Sequence, residues 1–250
     1  MLREMTADLH IHTCLSPCAT LDMTPRRIAR IARSRNLEMI AITDHNSAEN
    51  VAATQRAAAG DTVCVLAGME ITSAEEAHIV ALFPTLEAAE SMQALVYARL
   101  LPGENDEELF GLQVVANEFD EVEDQPRRLL STATTLEIGE LVAEVHARGG
   151  LAIAAHIDRQ GFSLVGQLGF IPPDAGLDAL EISPRTDLTA GRARFPEYAD
   201  YPMLPASDAH DLDEIGLHPV RLRLGAPSFE ELQMALRARE GRGVVAPGVG

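Results

Sequence analysis

Ala7-Asp8-Leu9-His10-Ile11-His12-Thr13 is the stretch whose reading decides the fold. It has the pattern of a short strand ending in two histidines one residue apart. Side chains at i and i+2 of a strand share a face, so His10 and His12 point the same way and form a ready chelate for a transition metal. Taken alone, the pair equally describes two partly buried, hydrogen-bonded histidines. Its weight comes from repetition, because elsewhere in the chain an apolar strand again runs into a ligand-type residue.

Met39-Ile40-Ala41-Ile42 runs straight into Thr43-Asp44-His45. A strand beginning at Val63 carries on through Gly68-Met69 to Glu70, and His78–Leu82 follows so closely that the two predict a hairpin or neighbouring strands. Leu151–Ala155 leads to His156, Ala179–Ile182 is a short strand containing Glu181, and Met203–Ala206 runs into Ser207-Asp208-Ala209-His210. Val220–Leu224 is a late strand. Helices fall between them. Thr24-Pro25 supplies an N-cap and a first-position proline, and residues 136–148 form a helix ended by Gly149-Gly150. Ser228 and Glu231 have capping-box spacing and open a last helix. Residues 84–135 break the pattern and read as a mostly helical insertion or lid, with a helix at Leu86–Leu101 and an acidic run at 104–124. The tail, 241–250, reads as loose.

Strands alternating with helices predict a parallel α/β arrangement. Ligand-type residues end at least five strands, as on the active-site rim of a barrel. An open doubly wound sheet would gather them mainly at its switch point. The 250 residues are therefore expected to form one domain, a distorted barrel.

Composition limits the function. The net charge is −18, and all 20 basic residues are arginine. Such acidity argues against a sequence-independent grip on duplex nucleic acid. It leaves room for anionic substrates, since bound divalent ions reverse the local field. Aromatics are 4% with no tryptophan, so platforms for stacking bases are scarce. No run approaches a membrane span, and the N-terminus lacks a signal-peptide pattern. With three cysteines, Cys14, Cys18 and Cys64, unable all to pair, a reduced cytoplasmic setting is expected.

The candidates are His10, His12, Asp44, His45, Glu70, His78, His156, Asp208 and His210, which include six of the eight histidines. Imidazoles mixed with carboxylates suit zinc, iron or manganese more than magnesium or calcium. The set exceeds the needs of one ion. Two or three divalent ions sharing a bridging carboxylate would use it, with Glu70 as the bridge.

These segments resemble the PHP (polymerase and histidinol phosphatase) family of metal-dependent phosphoesterases. The motifs are DLHIHT at Asp8–Thr13, ITDH at Ile42–His45 with GMEI at Gly68–Ile71, AAH at Ala154–His156 and SDAH at Ser207–His210. The resemblance spans roughly residues 6–215. It implies a distorted barrel of seven strands and helices, a TIM-like (β/α)7 form. It also implies a trinuclear centre at the strand ends that hydrolyses phosphate esters. By position, His10, His12, His45, Glu70, His78, His156, Asp208 and His210 match the family's ligands. Where the family places an Asp or His five or six residues after His-x-His, this chain has Pro17 and Cys18. Either Cys18 ligates as a thiolate, or Asp22 reaches in, or one ion is held weakly; a free cysteine is otherwise a small buried apolar residue.

In the mechanism this implies, a metal-bridging hydroxide attacks phosphorus. Asp44 supports a histidine or the nucleophilic water from behind, and His210 takes part beside the ions. Arg159 and Arg185 are candidates for bidentate contacts with phosphate, the alternative being surface ion pairs. His146 reads as structural; His218 precedes Pro219 in a turn from which it could approach the site, but nothing requires it. The expected substrate is a small phosphorylated molecule, either a nucleotide or a sugar or amino-alcohol phosphate. The alternatives are an exonuclease acting on single-stranded ends and a non-catalytic metal-binding module. No membrane partner is expected, and the sequence sets no oligomeric state.

Overall fold

A computed structural model describes residues 1–245. In chain order the elements are β1 (Arg3–Ile11), α1 (Pro25–Ser34), β2 (Met39–Ile42), α2 (Val51–Ala57), β3 (Cys64–Thr72), β4 (His78–Phe83), α3 (Leu86–Arg99), α4 (Glu107–Phe110), β5 (Val115–Ala116) and β6 (Val122–Asp124). They continue with α5 (Ile138–Ala147), β7 (Leu151–Ala154), α6 (Leu164–Leu168), β8 (Ala179–Ile182), α7 (Leu188–Arg194), β9 (Met203–Pro205), β10 (Val220–Leu224), α8 (Phe229–Leu236) and β11 (Gly243–Val244).

The main sheet runs β11-β10-β1-β2-β3-β4-β7-β8-β9. Just beyond β9, Ala209 makes a parallel bridge to Ile11 at the end of β1, which nearly closes a ring from β1 to β9. Seven strands form this ring, as the family resemblance implies. The parallel expectation holds for β1–β2–β3 and for β7–β8–β9, and the hairpin expected at β3 and β4 forms. β4 pairs antiparallel with both β3 and β7, and β10 pairs antiparallel with β1. Only Ser73–Ala77 separate β3 from β4, too few residues for the crossover that a parallel connection requires.

One side of the strands packs against the helices: Ile40, Ile42, Met69, Ile79 and Ala81 share a cluster with Ile28, Val51, Val96 and Leu141. The other side is apolar at its lower end, where Met5, Ala7, Leu9, Met39, Leu66, Val80, Leu82 and Ile153 meet Phe229 and Leu232 of α8. Alternation carries this inner face upward into polar residues. Leu66 and Gly68 lead to Glu70, Val80 leads back to His78, and Ala179 leads to Glu181. Gly68 is required by crowding: a Cβ there would lie 2.8 Å from Leu82 Cδ2 and 2.9 Å from the Ala81 carbonyl oxygen.

Residues 84–135 are helical only at their start, which corrects the expectation of a mostly helical insertion. α3 buries Ala89, Met92 and Val96. The rest holds the one-turn α4 and the short β5–β6 hairpin in otherwise irregular chain. Its large apolar residues Leu109, Phe110, Phe119 and Val122 stay exposed, so a buried apolar face does not order it. Amide side chains fasten it instead. Asn50 donates to the Val114 carbonyl (3.0 Å) and accepts from the Ala116 amide (2.9 Å), and Asn46 donates to the Leu130 and Thr132 carbonyls.

Gly111, at φ +97°, sits on the loop that precedes Cys18, and a Cβ there would come within 2.4 Å of the Pro17 carbonyl oxygen. Left-handed strain of ~1–2 kcal/mol plus overpacking of ~1–3 kcal/mol predicts that Gly111→Ala loses about 2–5 kcal/mol in urea unfolding. Wild-type stability would mean that this contact is not formed.

The tail departs from expectation as well. Gly243 and Val244 pair with Arg223 and Leu222 of β10, and Arg242 forks onto both carboxylate oxygens of Glu231 at 2.7 Å. Residues 246–250 lie outside the described residues. Among the described residues no helix is long and apolar enough to cross a membrane.

Candidate metal centre

Glu70 is the hub, with 1% of its surface exposed. Its Oε1 lies 2.8 Å from His78 Nδ1, 3.1 Å from His156 Nε2 and 3.4 Å from His10 Nε2. Its Oε2 faces His45 Nδ1 at 3.0 Å and His12 Nε2 at 3.5 Å. Asp208 Oδ1 approaches His10 Nε2 and His12 Nε2 at 3.5 and 3.4 Å. The His210 ring stacks on His12 with centroids 4.2 Å apart. Eight side chains drawn from well-separated parts of the sequence thus meet at one rim.

Two backbone features deliver them. β4 is antiparallel, so His78 at its start reaches the rim where parallel strands end. In β1, simple alternation from Met5, Ala7 and Leu9 would turn Ile11 inward and His10 outward. Instead the pairing with β2 slips between Asp8 and Ile11, Ile11 joins the outer cluster, and the two histidines face in, as a bulge allows. His156 (φ 30°) and Asp208 (φ 48°) occupy left-handed backbone that non-glycine residues seldom adopt.

The ring nitrogens are oriented from behind. His10 Nδ1 donates to Glu181 at 2.9 Å, which leaves Nε2 as an inward lone pair. Ser16 donates its hydroxyl proton to Asp44 (2.7 Å), so it accepts from His12 Nδ1 (2.9 Å), and His12 Nε2 also points inward. His210 Nδ1 donates to the Asp208 carbonyl at 2.8 Å. His10 Nε2 and His12 Nε2 then face each other at 3.1 Å, an arrangement that calls for a shared proton or a cation. His45 Nδ1, Glu70 Oε2 and His78 Nδ1 are buried without a hydrogen bond. Among the described residues three ligand sets have their donor atoms within 4.8 Å of one another: His12, His45 and His210; His10, His12 and Asp208; and His45, Glu70 and His78. Orphaned donors of these types fit divalent ions of the zinc, iron and manganese class.

The electrostatics agree. Burial opposes charge on His10 and His45, yet nearby acids outweigh it and hold both well above the ordinary imidazole value: Glu181, Glu70 and Asp208 for His10, Cys18 and Glu70 for His45. Burial and the charge of His210 keep His12 low, and burial keeps His78 low. Burial would raise Glu70, but His78 and His10 pull it well below the carboxylate range.

Cys18 sits at the edge of the cluster, its Sγ 3.3 Å from His45 Nε2. Burial raises its thiol, but His210 and His45 more than reverse this, to about 6. Asp22 turns outward to Arg27. Asp44 accepts from the Thr13 amide, the Thr13 hydroxyl and Ser16, each at 2.7 Å, so it bears on the centre through Ser16, which accepts from His12 Nδ1 and from the His45 amide. Arg159 pairs with Asp208 at 2.5 Å. Arg185 lines an adjoining cleft of about 560 Å³ together with His78, Arg159, Phe162 and Arg194. A larger cleft, about 720 Å³, lies in the insertion among Glu104, Asp106, Glu107 and Glu108 and holds no candidate ligand. His146 pairs with Asp178 at 2.8 Å, away from the cluster.

Sequence reasoning did not single out Ser16 or Glu181. Glu181 had a signal, a lone carboxylate inside the fully buried run Ala179–Ile182. Ser16 had none. Glu181→Gln is expected to weaken metal affinity ~10–100-fold with the fold intact, as read by competition with a chromogenic chelator. Unchanged affinity would make Glu181 a mere core contact.

Residues 8–110 match the family model of the PHP domain. The N-terminal part of the chain thus resembles the PHP domain. The remaining PHP motifs, at 154–156 and 207–210, lie beyond the matched segment and meet it at the same rim. The uncharacterized protein YqxK of Bacillus subtilis is 23% identical over 277 residues, covering 98% of this chain and 65% of YqxK. The lesion-specific endonuclease PfuEndoQ of Pyrococcus furiosus superposes with a TM-score of 0.74 at 18% identity, over 97% of this chain and 58% of the endonuclease. An amidohydrolase of Chromobacterium violaceum with bound sulfate gives 0.58 at 20% identity, over 97% and 98% of the two chains. At these identities the structures share the PHP fold, and the chain spans less than two thirds of YqxK and of the endonuclease.

Proposed function

We propose that this chain is a PHP-family metal-dependent hydrolase that cleaves the phosphate ester of a small molecule, a nucleotide or a sugar or amino-alcohol phosphate. One observation carries the reading: Glu70 presents each of its two oxygens to a different group of inward-facing imidazoles, the disposition of a bridging carboxylate. We assign His10, His12, His45, Glu70, His78, His156, Asp208 and His210 as ligands, with Cys18 as an edge ligand. Two or three manganese, iron or zinc ions bound there supply Lewis acidity and an activated water.

The chain's own residues do the rest. Glu181, and Asp44 acting through Ser16, fix ring orientation. Asp44 is thus a positioning residue. Arg159 exchanges its contact with Asp208 for a phosphoryl oxygen, and Arg185, which has no ion pair among the described residues, binds the same anion from across the cleft. Removal of a charge-assisted contact of ~1.5–3 kcal/mol predicts that Arg185→Ala raises KM ~10–100-fold with a smaller effect on kcat. A cytoplasmic setting accords with the three free cysteines.

The test is a panel of phosphomonoesters, phosphodiesters and short oligonucleotides, assayed with manganese, zinc or iron. Phosphomonoesters are expected to turn over fastest. Absence of turnover with every metal would favour a non-catalytic metal-binding module. The second reading, attack on nucleic acid, draws on the superposition with Endonuclease Q, which has been solved in complex with a 27-mer duplex carrying an abasic lesion. The net charge of −18 weighs against it, and preferential cleavage of oligonucleotides would establish it.

A further inference from the structure

Phe162 stands at the mouth of the cleft beside the centre, in a conformation that packing alone does not explain. It is 50% exposed, and its backbone is left-handed at φ 57°, where a bulky side chain is an outlier. The surroundings hold it there. The His78 amide donates to the Phe162 carbonyl at 2.9 Å. Next to it, the Ser163 hydroxyl donates to the Arg159 carbonyl at 2.6 Å and accepts from the Gly166 amide at 2.9 Å. The loop carrying Arg159 and Phe162 is therefore braced at both ends.

One face of the Phe162 ring lies on His78, with centroids 4.9 Å apart and planes 22° from parallel. The rest of the ring borders the cleft of about 560 Å³ that also holds Arg159, Arg185 and Arg194. Strained backbone held by its surroundings clusters at functional sites. An exposed aromatic face beside anion-binding arginines suits a flat unsaturated group joined to a phosphate.

We propose that Phe162 is a specificity-determining platform that stacks the planar group of the substrate, a nucleobase or an aryl ring, while the arginines hold its phosphoryl group. The proposal rests on the phosphoester reading and narrows its substrate class. Sugar and amino-alcohol phosphates offer no such plane. The platform touches one face of one ring, so it selects for planarity and not for a particular base.

The test uses the metal-loaded full chain and two probes with a non-hydrolysable C–P bond, phenylphosphonate and methylphosphonate, with dissociation constants measured by calorimetry. Stacking predicts that phenylphosphonate binds roughly tenfold more tightly. In Phe162→Leu that advantage disappears while methylphosphonate affinity stays within about twofold of wild type; in Phe162→Tyr it is retained. Hydrolysis gives a second readout: KM for a nucleoside monophosphate rises in Phe162→Leu and KM for glycerol phosphate does not. Equal affinity of wild type for the two probes, or an equal loss of both in Phe162→Leu, overturns the platform and leaves the phosphoesterase standing. Failure of both probes to bind, with no phosphate ester turned over, overturns the phosphoester reading itself.

Discussion

Glu70→Gln is expected to lower hydrolysis by about 10³-fold and to lose at least one bound ion per chain, with secondary structure retained. The substitution keeps the shape of the side chain and removes its charge. It acts on the one group that faces five imidazoles, those of His10, His12, His45, His78 and His156. A neutral amide turns an N–H₂, which has no lone pair to offer a cation, toward one of the two imidazole groups, so one side of the bridge loses its ligand atom. Metal analysis of the purified variant beside kcat/KM separates the cases. Full metal content with lost activity would make Glu70 a catalytic group and not a bridge. Wild-type activity would end the assignment of the centre.

Removal of metal is expected to have the largest effect on stability. Ions present at 1,000 times their dissociation constant stabilise by about 4 kcal/mol, about 8–16 °C in Tm for a chain of this size. The difference is expected to grow with pH. His10 and His45 have raised folded values, so in the metal-free protein their charged forms contribute stability below the ordinary value of 6.5, lost as pH rises through the raised values. Glu70 is depressed, so its ionised form contributes above 4.5 and is lost only on strong acidification. Chelated protein should therefore lose Tm as pH rises above 6.5 while loaded protein does not, since bound metal requires neutral imidazoles. Calorimetry in two buffers of different ionisation enthalpy should record the release of about one proton or more on metal binding at pH 7. A chelator-insensitive Tm together with zero proton release would show that the cluster holds no ion.

The candidate ligands were legible because each strand carries its message locally. An apolar run ending in His, Asp or Glu can be read without knowing what lies across the barrel. Glu181 was readable in principle, as a charge in a buried strand, but only its contact with His10 reveals its use. Ser16 was not readable, because a serine in a loop is common and its role depends on having His12 on one side and Asp44 on the other. The insertion was misread as mostly helical because its acidic run has partial helical spacing; amide side chains from the loop after β2 hold it in another form.

The sequence alone determined which kinds of residue gather at the rim and the alternation of strands and helices, because strand length, apolar content and ligand chemistry are properties of short segments. Tertiary structure decided which way those segments face. The slip in β1 turned His10 and His12 inward, the pairing of β4 with β7 set His78 beside His156, and the bridge from Ala209 to Ile11 drew Asp208 and His210 onto the first strand. Each depends on pairing between residues distant in the chain. A one-residue shift in such pairing reverses the face of a side chain without changing a letter of the sequence.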